Sequence, residues 1–301
     1  PGCPVCVTDQ RDIDTAIAMA ALPDVIVATY GDLMRVPGSG SSLLLERAGG
    51  SDVRIVYSTM DALELAKSNP DRQVVFLGVG FETTAPTAAA AILSAEHTGI
   101  DNFSVFSAHK RVPPALAALM QEDGVKINGF LLPGHVSTII GKNGYTRFFE
   151  DWGLPAVVAG FEPADILLAI LRLVEMFEAG RPALENAYPR AVADAGNPRA
   201  LAVMEQVFTA GDAEWRGLGR IPQSGLDIRD AYARFDAARR LGVEVAPSGP
   251  PNGCACGDVL TGKLTPPQCR LYRKACTPDH PVGPCMVSSE GTCSAFHRYG
   301  M

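Results

Sequence analysis

The sequence predicts an α/β protein with two similar parallel-sheet α/β domains and a small, loop-rich, cysteine-containing domain at the C-terminus. Three observations lead to this prediction. Short apolar strands alternate with helical segments along the first 180 residues, which is typical of parallel sheets covered on both faces. The tripeptide Gly-Phe-Glu follows a strand twice, 80 residues apart. A proline- and glycine-rich segment near residue 245 precedes six of the eight cysteines.

Six strands are predicted in the body of the chain, each an apolar run of about five residues bounded by turn-forming segments. They cover residues 24–29, 53–57, 73–79, 103–107, 127–132 and 155–159. Helical spacing of apolar residues predicts the segments that alternate with these strands. They are residues 12–22, 62–67, 86–96, 114–121, 144–151 and 164–179, followed by helices at 198–209 and 227–241. Right-handed crossovers are expected between the parallel strands.

The predicted domains follow from this order of elements. Residues 1–60 are assigned to a first α/β domain, N-terminally incomplete, that later elements could complete. Residues 61–160 form the second α/β domain, 161–245 a helical region that packs on both, and 246–301 the cysteine-rich domain. The tripeptides at 80–82 and 160–162 support two similar units, because both lie where a strand leads into a helix.

The composition limits the kinds of partner that the chain can have. A formal net charge of −7, with no basic block, argues against broad nucleic-acid or anionic-membrane binding. No apolar run approaches the roughly 18 residues that a membrane span needs. Cysteines confined to the two ends of a large α/β body are typical of cytoplasmic metal or redox chemistry and not of secreted disulfide scaffolds. We therefore expect a cytoplasmic protein without nucleic-acid or membrane partners.

The six C-terminal cysteines have the spacing C-x-C-x12-C-x6-C-x8-C-x7-C. Structural zinc sites usually contain C-x2-C knuckles, which this segment lacks. Irregular spacing among proline- and glycine-rich turns suits an iron–sulfur cluster wrapped by loops, and such a cluster takes four thiolates and leaves two. A zinc site and plain disulfides are the alternatives.

The N-terminal cysteines form the motif Cys3-Pro-Val-Cys6 just before a helix signal. Such a pair can close into a reversible disulfide, and helix N-terminal amides would favour its thiolate. Asp9 and Asp12 would oppose that effect. Half of a zinc site, completed elsewhere in the chain, is the alternative.

Polar residues collect after the predicted strands. Parallel-sheet proteins bind ligands beyond the carboxyl ends of their strands, so these positions are candidate site residues. Each also has a structural alternative, since a glutamate can complement a helix dipole and a loop histidine is often structural. Their common position predicts one crevice, lined by Asp32, Glu82, His109, His135 and Glu162.

Several long motifs, in order along nearly the whole chain, resemble one known family. They are PGCPVC, TYGDLMRVPGS, GFETTAP, LPGHVSTIIG, CACGDVLTG and PVGPCMVSSEGTC. The chain is similar in these motifs to the hydrogenase maturation factor HypD family. The resemblance implies two similar α/β domains, a small iron–sulfur domain and a scaffold that works with the partner HypC. On this scaffold the Fe(CN)2CO unit of [NiFe]-hydrogenase is built, with cyanide delivered by HypE.

The resemblance also implies roles for the cysteines. The cluster region of the family is similar to ferredoxin:thioredoxin reductase, where a C-x-C pair supplies one cluster ligand and one redox thiol. By motif, a [4Fe-4S] cluster would be held by Cys254, Cys269, Cys276 and Cys293. Cys256 and Cys285 would form a disulfide beside it, and Cys3 and Cys6 a second redox pair. Electrons would pass from the cluster through one dithiol to the other, and on toward the iron and its ligands.

The crevice residues would then be polar contacts to iron, cyanide or the delivering partner. The upstream Cys-Gly-Thr-His-Glu motif of the family, whose cysteine is thought to bind the iron being assembled, does not occur in these 301 residues. One alternative function for the same cysteines is a ferredoxin-dependent thiol–disulfide reductase that acts on a protein substrate. Another is an interaction protein held together by zinc.

Overall fold

The computed structural model describes residues 3–246, 249 and 251–300. Residues 1, 2, 247, 248, 250 and 301, which belong to the predicted domains 1–60 and 246–301, lie outside the described residues. Two parallel-sheet α/β units and a loop-rich cysteine-containing region are present, so the predicted fold class is confirmed. The domain boundaries at residues 60, 160 and 245 stay predictions.

The first unit is built on a parallel sheet. Its strands are β1 (Val25–Thr29), β2 (Asp52–Ile55), β3 (Gln73–Gly78) and β4 (Phe103–Ser107). They are hydrogen-bonded in the order β2-β1-β3-β4. The helices of this part of the chain are α1 (Pro4–Val7), α2 (Gln10–Ala20), α3 (Leu43–Ala48), α4 (Thr59–Ser68) and α5 (Ala85–Thr98).

Both faces of this sheet are covered, which explains why its strands are apolar throughout. Every residue of β1 is buried. Val25 and Val27 belong to one core cluster, whereas Ile26 and Ala28 belong to another. Because successive strand residues point to opposite faces, a strand between two layers of helices needs an uninterrupted apolar run. Such a run is the sequence signal that predicts these strands.

The second unit has a smaller parallel sheet. Its strands are β5 (Phe130–Pro133), β6 (Ala156–Ala159) and β7 (Leu184–Asn186), in the order β5-β6-β7. The helices of this part are α6 (Val112–Gln121), α7 (Gly134–Ile140), α8 (Thr146–Trp152) and α9 (Pro163–Ala179). The sequence does not predict β7, because this short strand is half-buried and carries no apolar run.

The chain then forms a helix and an antiparallel hairpin before the cysteine-rich region. The elements are α10 (Pro198–Val207), β8 (Phe208–Trp215), β9 (Gly219–Ile228), a 3-10 helix at Asp230–Phe235 and α11 (Ala237–Leu241). The hairpin packs with β9 against α6 and β4.

The predicted helix at 227–241 is confirmed only in part, because residues 227 and 228 end β9 and the rest is divided between a 3-10 helix and α11. Ile228, Tyr232 and Phe235 follow helical spacing and are all buried in one core cluster. They reach that core from the end of β9 and from the 3-10 helix, because pairing with β8 holds the backbone extended as far as Ile228. A pattern of three apolar residues cannot distinguish one continuous helix from the end of a strand followed by a 3-10 helix.

The C-terminal region is formed mainly by loops and short turns. It contains α12 (Cys256–Leu260), 3-10 turns at Pro266–Gln268 and Pro284–Met286, and α13 (Thr292–Tyr299). Within the described part of the chain, no helix combines the length and the apolar character that crossing a membrane requires.

Candidate functional site

The C-terminal cysteines surround one cavity. Apolar side chains such as Val259, Leu271 and Met286 form part of its wall. All six cysteines are free thiols. The cysteines that line the cavity are Cys254, Cys256, Cys269, Cys276, Cys285 and Cys293. The six cysteines, although irregularly spaced in the sequence, therefore line one cavity in the fold.

The wall of this cavity fits an iron–sulfur cluster. A Cβ on Gly283 would lie only 2.6 Å from Cys254 Sγ, so glycine is needed to leave room for that sulfur. The amide of Val282 donates a hydrogen bond to Cys276 Sγ at 3.4 Å, and such bonds tune cluster ligands. The hydroxyl of Tyr272 is buried at this cavity and has no hydrogen-bond partner among the described residues. Thiols, an amide donor and an unpartnered hydroxyl suit a sulfur-rich cluster.

The cysteines lie around a volume and do not converge on one point. Within residues 3–246, 249 and 251–300, no three histidine, cysteine, aspartate or glutamate side chains are placed to hold a single metal ion. A [4Fe-4S] cluster is bound by four thiolates, one on each iron, so its ligands are spread around it. The thiols of all six C-terminal cysteines line the same cavity.

Cys256 and Cys285 form a close pair, with their Sγ atoms 2.6 Å apart. Cys256 is the first residue of α12, Cys285 lies in the turn Pro284–Met286, and both are buried. Hydrogen bonds with the thiols of Cys254 and Cys285, helped by the charge of Arg216, lower the pKa of Cys256 to about 4. The hydrogen bond to Cys256 raises the pKa of Cys285 in turn. The thiol of Cys256 is therefore the more acidic of the two.

Cys3 and Cys6 form a disulfide near the N-terminus. Cys3 precedes α1, and its Sγ accepts a hydrogen bond from the Cys6 amide at 3.2 Å. Both are buried in the same side-chain cluster as Cys256 and Cys285. In addition, α1 packs against the turn Pro284–Met286. The fold thus brings together two cysteine pairs from opposite ends of the chain.

Asp32 lies where the first unit meets the cysteine-rich region. Its Oδ2 accepts a hydrogen bond from Ser288 Oγ at 2.9 Å. In the same segment, Arg35 donates from Nη1 to the carbonyl of Pro278 at 3.3 Å. These two contacts attach the segment that follows β1 to the loops that carry the cysteines.

Glu82 and His109 are buried at the carboxyl end of the first sheet. Both Glu82 oxygens accept from the amide of Val112, at 3.0 and 3.2 Å, where α6 begins. Burial raises the pKa of Glu82, and the hydrogen bonds from the backbone lower it. The effect of burial is the larger, so the pKa is raised to about 7. Burial and the charge of Lys110 lower the pKa of His109 to about 3, and its Nδ1 lies 3.2 Å from Ser107 Oγ. Near neutral pH, Glu82 can therefore exchange a proton while His109 is neutral.

His135 and Glu162 lie at the carboxyl end of the second sheet, and both are exposed. The ring of His135 stacks on Phe161 with 3.9 Å between centroids. Glu162 directly precedes α9. Glu82, by contrast, lines a cleft where parts of both units meet α10 and the hairpin. The five predicted crevice residues thus occupy three places in the fold, and a crevice common to all of them stays a prediction.

Sequence reasoning misses Arg216, at the tip of the β8–β9 hairpin. Its side chain is buried, and its Nε donates to the carbonyl of Thr8 at 2.9 Å, although the two residues are 208 positions apart. Arginines are mostly exposed and rarely fully buried without a partner. The sequence around Arg216 contains no signal for this burial, because the partner comes from the far end of the chain.

Comparison with known proteins agrees along the full length of the chain. The HypD family model, described as "Hydrogenase formation hypA family", matches residues 1–300. The chain is 48% identical over 305 residues to the hydrogenase maturation factor HypD of Rhodobacter capsulatus, covering 100% of this chain and 81% of that protein. It is 46% identical over 300 residues to the factor of the same name from Escherichia coli (strain K12), covering 99% and 80%. The chain belongs to the HypD family of hydrogenase maturation factors.

Proposed function

We propose that, within hydrogenase maturation, this chain is the scaffold on which the Fe(CN)2CO unit of [NiFe]-hydrogenase is assembled. It acts in the cytoplasm in a complex with HypC, and HypE donates the cyanide. Iron with its cyanide and carbon monoxide ligands is the cargo and is bound transiently. One observation supports the redox part of this function above all others. Helix α1 packs against the turn Pro284–Met286, so the Cys3–Cys6 disulfide lies in the same buried cluster as thiols of the six-cysteine cavity.

The cavity is assigned to a [4Fe-4S] cluster, which supplies single-electron transfer when bound. Gly283 and Val282 support this assignment, because they make room for one sulfur and donate a hydrogen bond to another. Cys256 and Cys285 are left out of the ligand set because they already pair with each other. The ligands are then Cys254, Cys269, Cys276 and Cys293.

The two cysteine pairs that do not hold the cluster, Cys3–Cys6 and Cys256–Cys285, react with each other by thiol–disulfide exchange. A thiol of the Cys256–Cys285 pair, whose two Sγ atoms lie side by side, attacks one sulfur of the Cys3–Cys6 disulfide. That S–S bond breaks as a mixed disulfide forms. The second thiol attacks the mixed disulfide and closes the Cys256–Cys285 bond. Cys3 and Cys6 become thiols and take up the two protons, so two electrons move without any outside oxidant.

The crevice residues are assigned to polar contacts with iron, cyanide or the delivering partner. Glu82 has the property that proton transfer requires, since its pKa of about 7 lets both protonation states be populated at neutral pH. His109, His135, Asp32 and Glu162 are assigned to the same role at the positions described above.

Metal analysis after anaerobic purification tests the assignment of the cysteines. Cys269→Ser should lose bound iron, acid-labile sulfide and visible absorption, because a ligand is removed. Cys256→Ser, a matched change in the same cavity, should keep most of all three. Equal loss in the two variants would contradict this division of labour.

Infrared spectroscopy tests the scaffold itself. The chain co-purified with HypC and HypE should show the stretching bands of cyanide and carbon monoxide bound to iron. Cys3→Ser should weaken these bands while the cluster is retained. Absence of the bands, together with steady reduction of a protein disulfide by reduced ferredoxin, would favour the thiol–disulfide reductase instead.

A further inference from the structure

The tip of the β8–β9 hairpin contacts the segment that follows the N-terminal disulfide. Trp215 forms an antiparallel bridge with Thr8. The amide of Arg216 donates to the carbonyl of Val7 at 3.0 Å. The hairpin thereby holds the backbone directly after Cys6 by strand-like hydrogen bonds.

The side chain of Arg216 strengthens this attachment. It is 5% exposed, and its Nε and Nη1 donate to the Thr8 carbonyl at 2.9 Å and to Gln10 Oε1 at 3.1 Å. Its Nη2 is buried and has no hydrogen-bond partner within the described part of the chain. A buried guanidinium that bridges two groups of one segment fixes the position of that segment, because leaving such donors unpaired is costly.

The same tip also touches the cysteine-rich region. Gly217 has a φ of +84°, and a Cβ on it would lie 2.5 Å from the Cα of Gly257. A Cβ on Gly257 would in turn lie 2.9 Å from the Cα of Gly217. Glycine at both positions therefore permits a backbone-to-backbone contact immediately beside Cys256.

We propose that Arg216, with Gly217, is a positioning residue for thiol–disulfide exchange. The hairpin tip clamps the Cys3–Cys6 segment against the Cys256–Cys285 pair, so that each attack is intramolecular and correctly oriented. This inference rests on the proposed exchange between the two pairs. Small misplacements of reacting groups slow such steps by one to two orders of magnitude, so loss of the clamp is expected to reduce the rate of exchange at least ~10-fold.

The test measures how fast one oxidised pair passes its disulfide to the other. The fully reduced chain receives one equivalent of diamide, a small thiol oxidant, and is then quenched at intervals with an alkylating reagent. Peptide mass spectrometry gives the fraction of Cys3–Cys6 and Cys256–Cys285 disulfide at each time. The reaction of each pair with oxidised glutathione is measured separately, because a general loss of structure would change that rate too.

Two variants and one matched control separate the outcomes. Arg216→Met and Gly217→Ala should each slow the redistribution between pairs about tenfold or more, with reaction toward glutathione nearly unchanged. Gly217→Ala keeps the test decisive if Arg216→Met fails to fold. Arg220→Met changes an exposed arginine of the same hairpin, which pairs with Asp212, and should have no effect.

Each result decides one question. Redistribution at the unaltered rate in both variants would overturn the proposed role of Arg216 and Gly217. It would leave the proposed thiol–disulfide exchange between the two cysteine pairs intact. No redistribution in the unaltered chain would overturn both the proposed exchange between the two pairs and the proposed role of Arg216 and Gly217. Slowing of redistribution and of the glutathione reaction to the same extent would assign these residues to folding alone and would also overturn the clamp.

Discussion

Replacing Glu82 with glutamine is expected to change how the stability of the chain depends on pH. Glu82 is 2% exposed, and burial raises its pKa from 4.5 to about 7. Below pH 4.5 the carboxyl is protonated in the folded and the unfolded chain alike. As the pH rises toward 7, the unfolded chain loses this proton first. Folding then requires proton uptake, so the free energy of unfolding falls as the pH rises.

The expected loss follows from the two pKa values. A difference from 4.5 to about 7, at ~1.4 kcal/mol for each pKa unit, corresponds to about 3 kcal/mol. Glutamine has no such proton, and its carbonyl can keep the hydrogen bond from the Val112 amide. The stability of Glu82→Gln relative to the unaltered chain should therefore rise by about 3 kcal/mol between pH 4.5 and about pH 8. Taking this difference removes the contribution of His109, which titrates in both chains.

Urea unfolding at several pH values, under reducing conditions, measures this difference. Glu162→Gln is the matched control, because it removes the same formal charge from an exposed position in the second Gly-Phe-Glu tripeptide. A constant difference between Glu82→Gln and the unaltered chain across this range would refute the reasoning. The infrared band of a protonated carboxyl, present below pH 7 and missing from Glu82→Gln, provides an independent check.

Two further predictions concern the buried histidine and the cysteine cavity. His109→Gln should flatten the fall in stability as the pH drops from 6.5 toward 3, up to ~1.4 kcal/mol per pH unit, because only the unfolded histidine takes up a proton there. Acid urea titrations measure this, and an unchanged slope would contradict it. Gly283→Ala should lower bound iron and visible absorption, because its Cβ would lie 2.6 Å from Cys254 Sγ, whereas a Cβ on Gly249 meets no described residue within 4 Å and Gly249→Ala should not. Equal iron content in both variants would argue against a close fit at Gly283.

Strands that are buried on both faces leave a clear signal in the sequence, and other strands do not. The prediction for β4 at 103–107 coincides with the structure because all but its last residue are buried. By contrast, β9 contains Pro222 and two glycines, and its burial is irregular. Such a segment is typical of a loop until a partner strand pairs with it. The partner is β8, and that pairing is information that neither segment carries alone.

The two Gly-Phe-Glu tripeptides test the rule that polar residues following parallel strands lie at the carboxyl edge of the sheet. Glu82 follows β3 and Glu162 follows β6, so both lie at the carboxyl end of a parallel sheet, as the rule predicts. Glu82 is buried because the start of α6 covers it and Val112 donates to it. Glu162 is exposed. The rule places both glutamates at the edge of a sheet. The packing of other elements on that edge decides which of the two carboxylates is buried and has a shifted pKa.

The meeting of the two cysteine pairs depends on an element that lies between them in the sequence. The spacing of the cysteines predicts a common centre for the C-terminal six, since all belong to one short segment. The N-terminal pair is brought there through the hairpin, whose strand β9 is bonded to the α/β body between the Arg111 amide and the Ser224 carbonyl at 2.7 Å. Its tip bonds to Thr8 on one side and contacts Gly257 on the other. Because β9 is anchored on the α/β body, the hairpin tip can fix two distant segments relative to each other. A strand pair that sequence patterns fail to predict therefore helps to hold cysteines from distant parts of the chain in one buried cluster.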